Sequence, residues 1–282
     1  MPARSRGKPS LLLVSPRHAS RNLWTLKEVG EVVGKAVTSY PLALPHLAAL
    51  TPGHWDVRLV DEEMDRVPLD ERPDLVGVTA MATNVRRAHE IADAYRAAGV
   101  TVVLGGPFTT LDWEGSQAHA DAVVVGEAES VWERLLGDFE ARRLERSYRA
   151  DDLPDISRLP PPRWDLVDTR RVLGLNVQVS RGCPKGCEFC CVTRMFGRRQ
   201  RYRDVGGVFD EIRGLPLRQI SFVDDNLTSD RRYARDLMER IAPLGVSWNC
   251  LAGVDVAAAE ALLRDMAAAG GGSILVGVES LG

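Results

Sequence analysis

Val177-Gln-Val-Ser-Arg-Gly-Cys-Pro-Lys-Gly-Cys-Glu-Phe-Cys190 carries three cysteines, Cys183, Cys187 and Cys190, separated by three and then two residues. A thiolate triple at this spacing can wrap one corner of a cubane iron–sulfur cluster. It supplies three of the four iron ligands and leaves the fourth iron open. Gly182, Pro184 and Gly186 give the tight, permissive backbone that such a wrap needs. The alternating run Val177–Ser180 predicts a strand, so the cysteine loop hangs from a strand's C-terminal end. An iron with an open position invites a chelating small molecule. A structural zinc site is the alternative, and it wants four ligands. Cys191 or Cys250 would be the fourth, but adjacent Cys190 and Cys191 close a tetrahedron awkwardly.

On the C-terminal side, Met195–Arg203 is strongly basic. It reads either as a solvated loop or as an anion-facing loop over the cluster, where arginine forks hold carboxylates or phosphates. A helix through Val205, Val208, Phe209 and Ile212 follows, then the strand Gln219–Val223, which ends in Asp224-Asp225-Asn226. Adjacent acids there suit either a ligand's cation or the cap of the next helix. Tyr233, Leu237 and Ile241 form that helix's apolar stripe. Val246–Leu251 predicts a third strand, Ala257–Ala269 a helix from its alanine content, and Ser273–Ser280 a fourth strand carrying Glu279.

On the N-terminal side, Ser10–Ser15, Asp56–Val60, Asp74–Thr79, Thr101–Leu104 and Asp121–Val125 are aliphatic runs of the kind found in parallel sheets covered on both faces. Between the third and fourth, Asn84 is placed to cap a helix. Val85, Ala88, Ile91, Ala92 and Tyr95 recur at helical spacing, and Gly99 stops it. Alternation of strand and helix predicts a doubly wound, Rossmann-like α/β domain with its ligand at the strands' C-terminal ends. Thr79–Thr83, Gly105-Gly106-Pro107 and Gly126-Glu127 lie there. The proline-rich stretch around Pro160, Pro161 and Pro162 breaks the pattern and reads as a stiff linker. The division is therefore 1–149 for the first domain, 150–176 for the linker and 177–282 for the second.

Composition narrows the class. The 282-residue chain is 45% hydrophobic and 27% charged, as a folded globular protein should be. Its net charge of −3 gives no reason to expect nucleic acid as a partner. No apolar run approaches a membrane span. The basic start is followed only by Leu11–Val14, too brief for a signal-peptide core. All five cysteines follow residue 182, three of them packed as ligands rather than spread as a disulfide framework. A reduced, cytoplasmic protein is expected.

The CxxxCxxC loop after a strand resembles the signature of the radical S-adenosylmethionine (SAM) superfamily, and Phe189 matches its usual aromatic before the third cysteine. The resemblance implies a [4Fe–4S] cluster on Cys183, Cys187 and Cys190, with SAM chelating the open iron. It also implies a partial (β/α) barrel and a 5′-deoxyadenosyl radical, for which the cofactor carries the hard chemistry. Asp224, Asp225 and Asn226 stand where the family accepts hydrogen bonds from the methionyl ammonium, and Glu279 where it holds the adenosyl moiety. Tyr40–Leu50, Val57–Glu62, Leu104–Pro107, Val124–Glu127 and the stretches Asn22–Glu28 and Val33–Lys35 further resemble the branch whose barrel follows a cobalamin-binding domain. That implies cobalamin against Thr79, Thr83, Gly105, Gly106, Pro107, Gly126 and Glu127. None of His18, His46, His54, His89 or His119 sits in an Asp-x-His-x-x-Gly motif, so the lower face of cobalt is unassigned. The implied reaction is methylation of an unactivated carbon of a small molecule, with flavodoxin or ferredoxin as electron donor. Cyclisation, oxygenation or rearrangement in the same branch is the alternative, as is a non-catalytic iron–sulfur or corrinoid-binding protein. Relatives continue beyond four barrel strands, so a C-terminally truncated barrel is expected.

Overall fold

Buried aliphatic runs build two parallel sheets in the computed structural model, which describes residues 7–19, 27–150 and 152–279. In chain order the strands are β1 (Ser10–Ser15), β2 (Val37–Ser39), β3 (Asp56–Asp61), β4 (Leu75–Thr79), β5 (Thr101–Gly105), β6 (Ala122–Val125) and β7 (Ser147–Arg149). They continue as β8 (Val172–Val177), β9 (Ser180–Arg181), β10 (Arg201–Tyr202), β11 (Gln219–Phe222), β12 (Ser247–Ala252) and β13 (Gly271–Val276). Two units divide the chain. One is Met1–Val29 with Pro41–Pro154 and Pro162–Asp168; the other is Gly30–Tyr40 with Asp155–Pro161 and Thr169–Gly282.

The first unit's sheet has the order β3-β1-β4-β5-β6-β7, and every pair in it is parallel. From β1 the chain steps to β3 on one side and then returns to β4 on the other. The C-terminal ends of β1 and β4 are therefore a topological switch point, where doubly wound sheets bind ligands. The helix Val85–Ala97 covers one face with Ala88, Ile91, Ala92 and Tyr95, and ends before Gly99 at φ 78°. Asn84 does not cap it through its side chain. Instead its Nδ2 donates to the Pro16 carbonyl at 2.9 Å and its Oδ1 accepts from the Met81 N–H at 2.7 Å, tying together the loops after β1 and β4. Strand β7 has no counterpart in the sequence reading, because three residues carry no usable periodicity.

The second unit's sheet has the order β13-β12-β11-β8-β2, also parallel throughout. The helices Val205–Gly214, Arg231–Ile241 and Glu260–Ala268 alternate with its strands. Three expectations need correction. The strand before the cysteines is Val172–Val177; the expected run Val177–Ser180 straddles its end, and Ser180–Arg181 pairs antiparallel with Arg201–Tyr202. The expected helix Ala257–Ala269 divides at Ala259 into a 3₁₀ turn, Val254–Ala258, and the helix Glu260–Ala268. The segment assigned with residues 1–149 includes Gly30–Tyr40, yet Val37 and Ser39 pair with Val172 and Gly174 of the second sheet. Positions 22–26 and Ser280 lie outside the described residues. No described helix is long and apolar enough to cross a membrane.

Candidate cofactor-binding sites

The cysteine loop leaves β9 through Gly182, at φ 88°. A Cβ there would stand 2.7 Å from the Arg199 carbonyl oxygen, so only glycine lets the loop pack on this segment. Further along, the Lys185 ammonium donates to Asp255 at 2.9 Å, fastening the loop to the turn after β12. The Cys190 N–H donates to the Cys187 carbonyl at 3.1 Å. Cys183 and Cys190 are half-buried and Cys187 is exposed. Cys191 is exposed at the start of the helix Val192–Phe196, and its carbonyl accepts from Arg194 and Met195. Cys250 is buried in β12, where burial pushes its thiol up to about 12. Among the described residues no three His, Cys, Asp or Glu side chains converge on a metal-ligating point. The CxxxCxxC positions of this loop offer three thiols, the number and kind an iron–sulfur cluster with one open iron requires.

The Asp-Asp-Asn triplet divides after β11. Asp224 is fully buried and its carboxylate accepts from the Val179 N–H at 3.1 Å, from the Ser180 N–H, and from the Ser180 hydroxyl at 2.6 Å. Burial pushes its carboxyl up to about 7. Asn226 is equally committed: its Oδ1 accepts from the Gly253 N–H at 3.1 Å, and its carbonyl accepts from Gln200 at 3.0 Å. Both residues therefore brace the turns around the cysteine loop. Asp225 alone is left half-buried without a hydrogen bond among the described residues. Its carboxyl is pushed up to about 6 by burial, against the pull of nearby Arg181. Phe189 is 71% exposed. Glu279 lies beyond the end of β13 rather than within it, exposed and at φ 61°.

In the first unit, Thr79, Gly105 and Gly126 stand at or just past the ends of β4, β5 and β6. Gly106 has φ 96°, and a Cβ on it would lie 2.5 Å from Thr79 Oγ1 and 3.0 Å from the Ala80 backbone. Its missing side chain makes room for β4's own end. Gly126, at φ 88°, has nothing within 4 Å of an added Cβ, so its open side faces free space. Pro107 opens the helix Pro107–Leu111, and Glu127 is buried. Thr83 is exposed, with Oγ1 2.7 Å from His18 Nδ1, joining the loops of the switch point. Burial lowers the His18 pKa.

Several features of this unit escaped the sequence reading. Thr109 and Ser116, on the short helices after β5, are fully buried, and their hydroxyls have no hydrogen-bond partner among the described residues. Such groups are costly unless something serves them. A cavity of about 300 Å³ opens beside the ends of β1 and β3, lined in part by Arg17, Glu62, Arg66 and Arg87. Arg87 forks onto the Glu62 carboxylate at 2.6 to 3.0 Å. The other histidines have partners of their own: His46 with Glu129, His54 with Glu140, and His89 stacked on His119 at 4.0 Å.

Comparison with known proteins fits this geometry. Residues 35–136 match the model of the B12 binding domain. Bacteriochlorophyllide d C-12(1)-methyltransferase of Chlorobaculum tepidum is 31% identical over 258 residues, covering 86% of this chain and 57% of the relative. Hopanoid C-2 methylase of Rhodopseudomonas palustris is 27% identical over 264 residues, 85% of this chain and 48% of that protein. The chain thus spans about half the length of these relatives. Among solved structures, the cobalamin-dependent SAM radical enzyme OxsB superposes with a TM-score of 0.74 at 16% identity, over 96% of this chain and 44% of its own. The radical SAM methyltransferase TsrM from Kitasatospora setae gives 0.71 at 19%, over 98% and 62%.

Proposed function

We propose that this chain, which carries a B12 binding domain and has the fold of the cobalamin-dependent radical SAM enzymes, is the cofactor-bearing part of a radical C-methyltransferase. The observation that carries the reading is the three-thiol loop above a parallel sheet, in a chain whose other unit is a B12 binding domain. Methyl transfer as the reaction rests on the activities that the relatives' names state. Bound here, a [4Fe–4S] cluster and SAM supply a 5′-deoxyadenosyl radical, and methylcobalamin supplies the methyl group.

The chain's own part is to bind and orient. Cys183, Cys187 and Cys190 are the cluster's ligands. Asp225, unspent and next to the loop's Arg181, accepts the ammonium of SAM, while Phe189 and Glu279 serve its adenosyl portion. Asp224 and Asn226 act one step back, holding Val179, Ser180 and Gly253 in place. In the first unit, Thr79, Thr83, Gly105, Pro107, Gly126 and Glu127 form the rim that receives cobalamin, with Gly106 holding that rim closed. The substrate is a small molecule, and the electron comes from a flavodoxin or ferredoxin.

The test is anaerobic reconstitution of the chain with iron, sulfide and hydroxocobalamin, followed by SAM and titanium(III) citrate. 5′-Deoxyadenosine should form with the wild-type chain and fall to background in Cys187→Ala. Equal amounts from both would overturn the reading.

A further inference from the structure

We propose that the stacked imidazoles of His89 and His119 are a latch that opens on acidification. The latch holds the segment Pro107–His119 against the helix Val85–Ala97 and so gates the rim that begins at Gly106; the link to cobalamin at that rim rests on the function proposed above. The two rings are 4.0 Å apart and within 12° of parallel, and His89 meets Phe108 edge-on at 6.4 Å. Asp93, one turn along the helix from His89, accepts from His119 Nδ1 at 2.8 Å. His89 Nε2 is buried and has no hydrogen-bond partner among the described residues. A second proton on the pair therefore does two things. It sets two cations ring to ring, and it leaves on His89 an Nε2–H that no acceptor meets.

Burial first, and His119 after it, lowers the His89 pKa, against the pull of Asp93 and Asp112. The other charged side chains on this side of the helix have partners: Arg86 pairs with Glu90 at 3.3 Å and Arg96 with Asp121 at 3.2 Å. The stack is thus intact above the ordinary histidine value of 6.5 and is lost as pH falls through the lowered one. The segment is suited to release. Thr109 and Ser116 on it are fully buried with unpartnered hydroxyls, which water serves only when the segment opens. Its start is pinned by the Phe108 N–H on the Ala80 carbonyl at 2.9 Å, and by Thr110 Oγ1, which accepts from the Gly126 N–H at 3.0 Å. Its end is held besides by exposed bonds from Arg96 and Arg146 to the carbonyls of Ala118 and Gln117. Acid therefore loosens the end of the segment locally, and Thr110 carries the change to Gly126.

The experiment is hydrogen exchange of the full chain, read peptide by peptide by mass spectrometry at about pH 7.5 and 5.5 and corrected for intrinsic rates. Hydroxocobalamin affinity is measured alongside by equilibrium dialysis. In the wild type, protection of residues 111–119 should fall about tenfold at the lower pH, the scale of a close like-charge pair near the surface, while β1 and β4 stay protected. Cobalamin affinity should fall several-fold with it. His89→Phe keeps a ring on the stack and His89→Gln a flat neutral amide, and neither can take the second charge. Both variants should exchange alike at the two pH values. Equal protection of the wild type at both, or a wild-type response in either folded variant, overturns the latch. Steady cobalamin affinity across a loosened segment overturns the gate. If cobalamin binds at neither pH, the reading of the rim falls, and exchange alone upholds or overturns the latch.

Discussion

Asp224 and Asp225 differ in what surrounds them. Asp224 accepts two backbone N–H groups and a hydroxyl in a fully buried site, and removing it strands those donors. Asp224→Ala should therefore lower stability by ~2–3 kcal/mol, the cost of unpaired buried groups, seen as a fall in chemical midpoint. Its carboxyl is raised from 3.8 to about 7 in the fold. The folded chain thus keeps a proton that the unfolded chain releases. The contribution is fully present below about pH 4 and lost as pH rises towards 7, so Asp224→Asn should flatten the midpoint over that window. An unchanged slope would show that the carboxyl is not the titrating group. Asp225 makes the opposite prediction. As an acceptor for an ammonium it must be ionised, so SAM affinity of the reconstituted chain should rise as pH passes about 6. Asp225→Asn should bind weakly at every pH, and its melting temperature at neutral pH should rise rather than fall, because burial disfavours the charged carboxyl that is removed. The triplet was legible as a site because it follows a strand in the sequence. Its division into two hydrogen-bonded side chains and one open one was not, because that depends on the backbone donors of Val179, Ser180 and Gly253.

At the scale of elements, two glycines with positive φ should answer alike by sequence and differently by structure. Gly106→Val drives its side chain into Thr79 and the Ala80 backbone, and should cost several kcal/mol, roughly 3 or more for overpacking plus backbone strain. Gly126→Val meets open space and should cost only ~1 kcal/mol from its φ. Equilibrium dialysis of hydroxocobalamin should show weakened binding to the folded Gly126→Val chain. Undiminished binding would remove Gly126 from the rim. The long aliphatic strands and the helix Val85–Ala97 could be read from the sequence because their burial pattern repeats over many residues. Strands β2, β7, β9 and β10 are two or three residues long, and long-range pairing rather than local pattern creates them. The helix break at Ala259 lay hidden for a related reason: alanine-rich composition favours helix everywhere and marks no boundary.

For the molecule as a whole, β2 gives β8 a neighbour, while among the described residues β13 has only β12. Leu275 and Val278 are 54% and 57% exposed along that edge and just past it, and exposed parallel edges invite association. Sedimentation of the 282-residue chain should show concentration-dependent self-association, reduced in Leu275→Lys; a monomer at every concentration would contradict this. The same view of the chain gathers the account into one claim: three cysteines on one loop bind a cluster that two other cysteines do not share. The direct measurement is iron and acid-labile sulfide per chain after anaerobic reconstitution of the wild type, Cys187→Ala and Cys250→Ala. The account predicts about four irons, the content of one cubane cluster, in the wild type and in Cys250→Ala, and loss of most of them in Cys187→Ala. Full iron in Cys187→Ala, or its loss in Cys250→Ala, would contradict it.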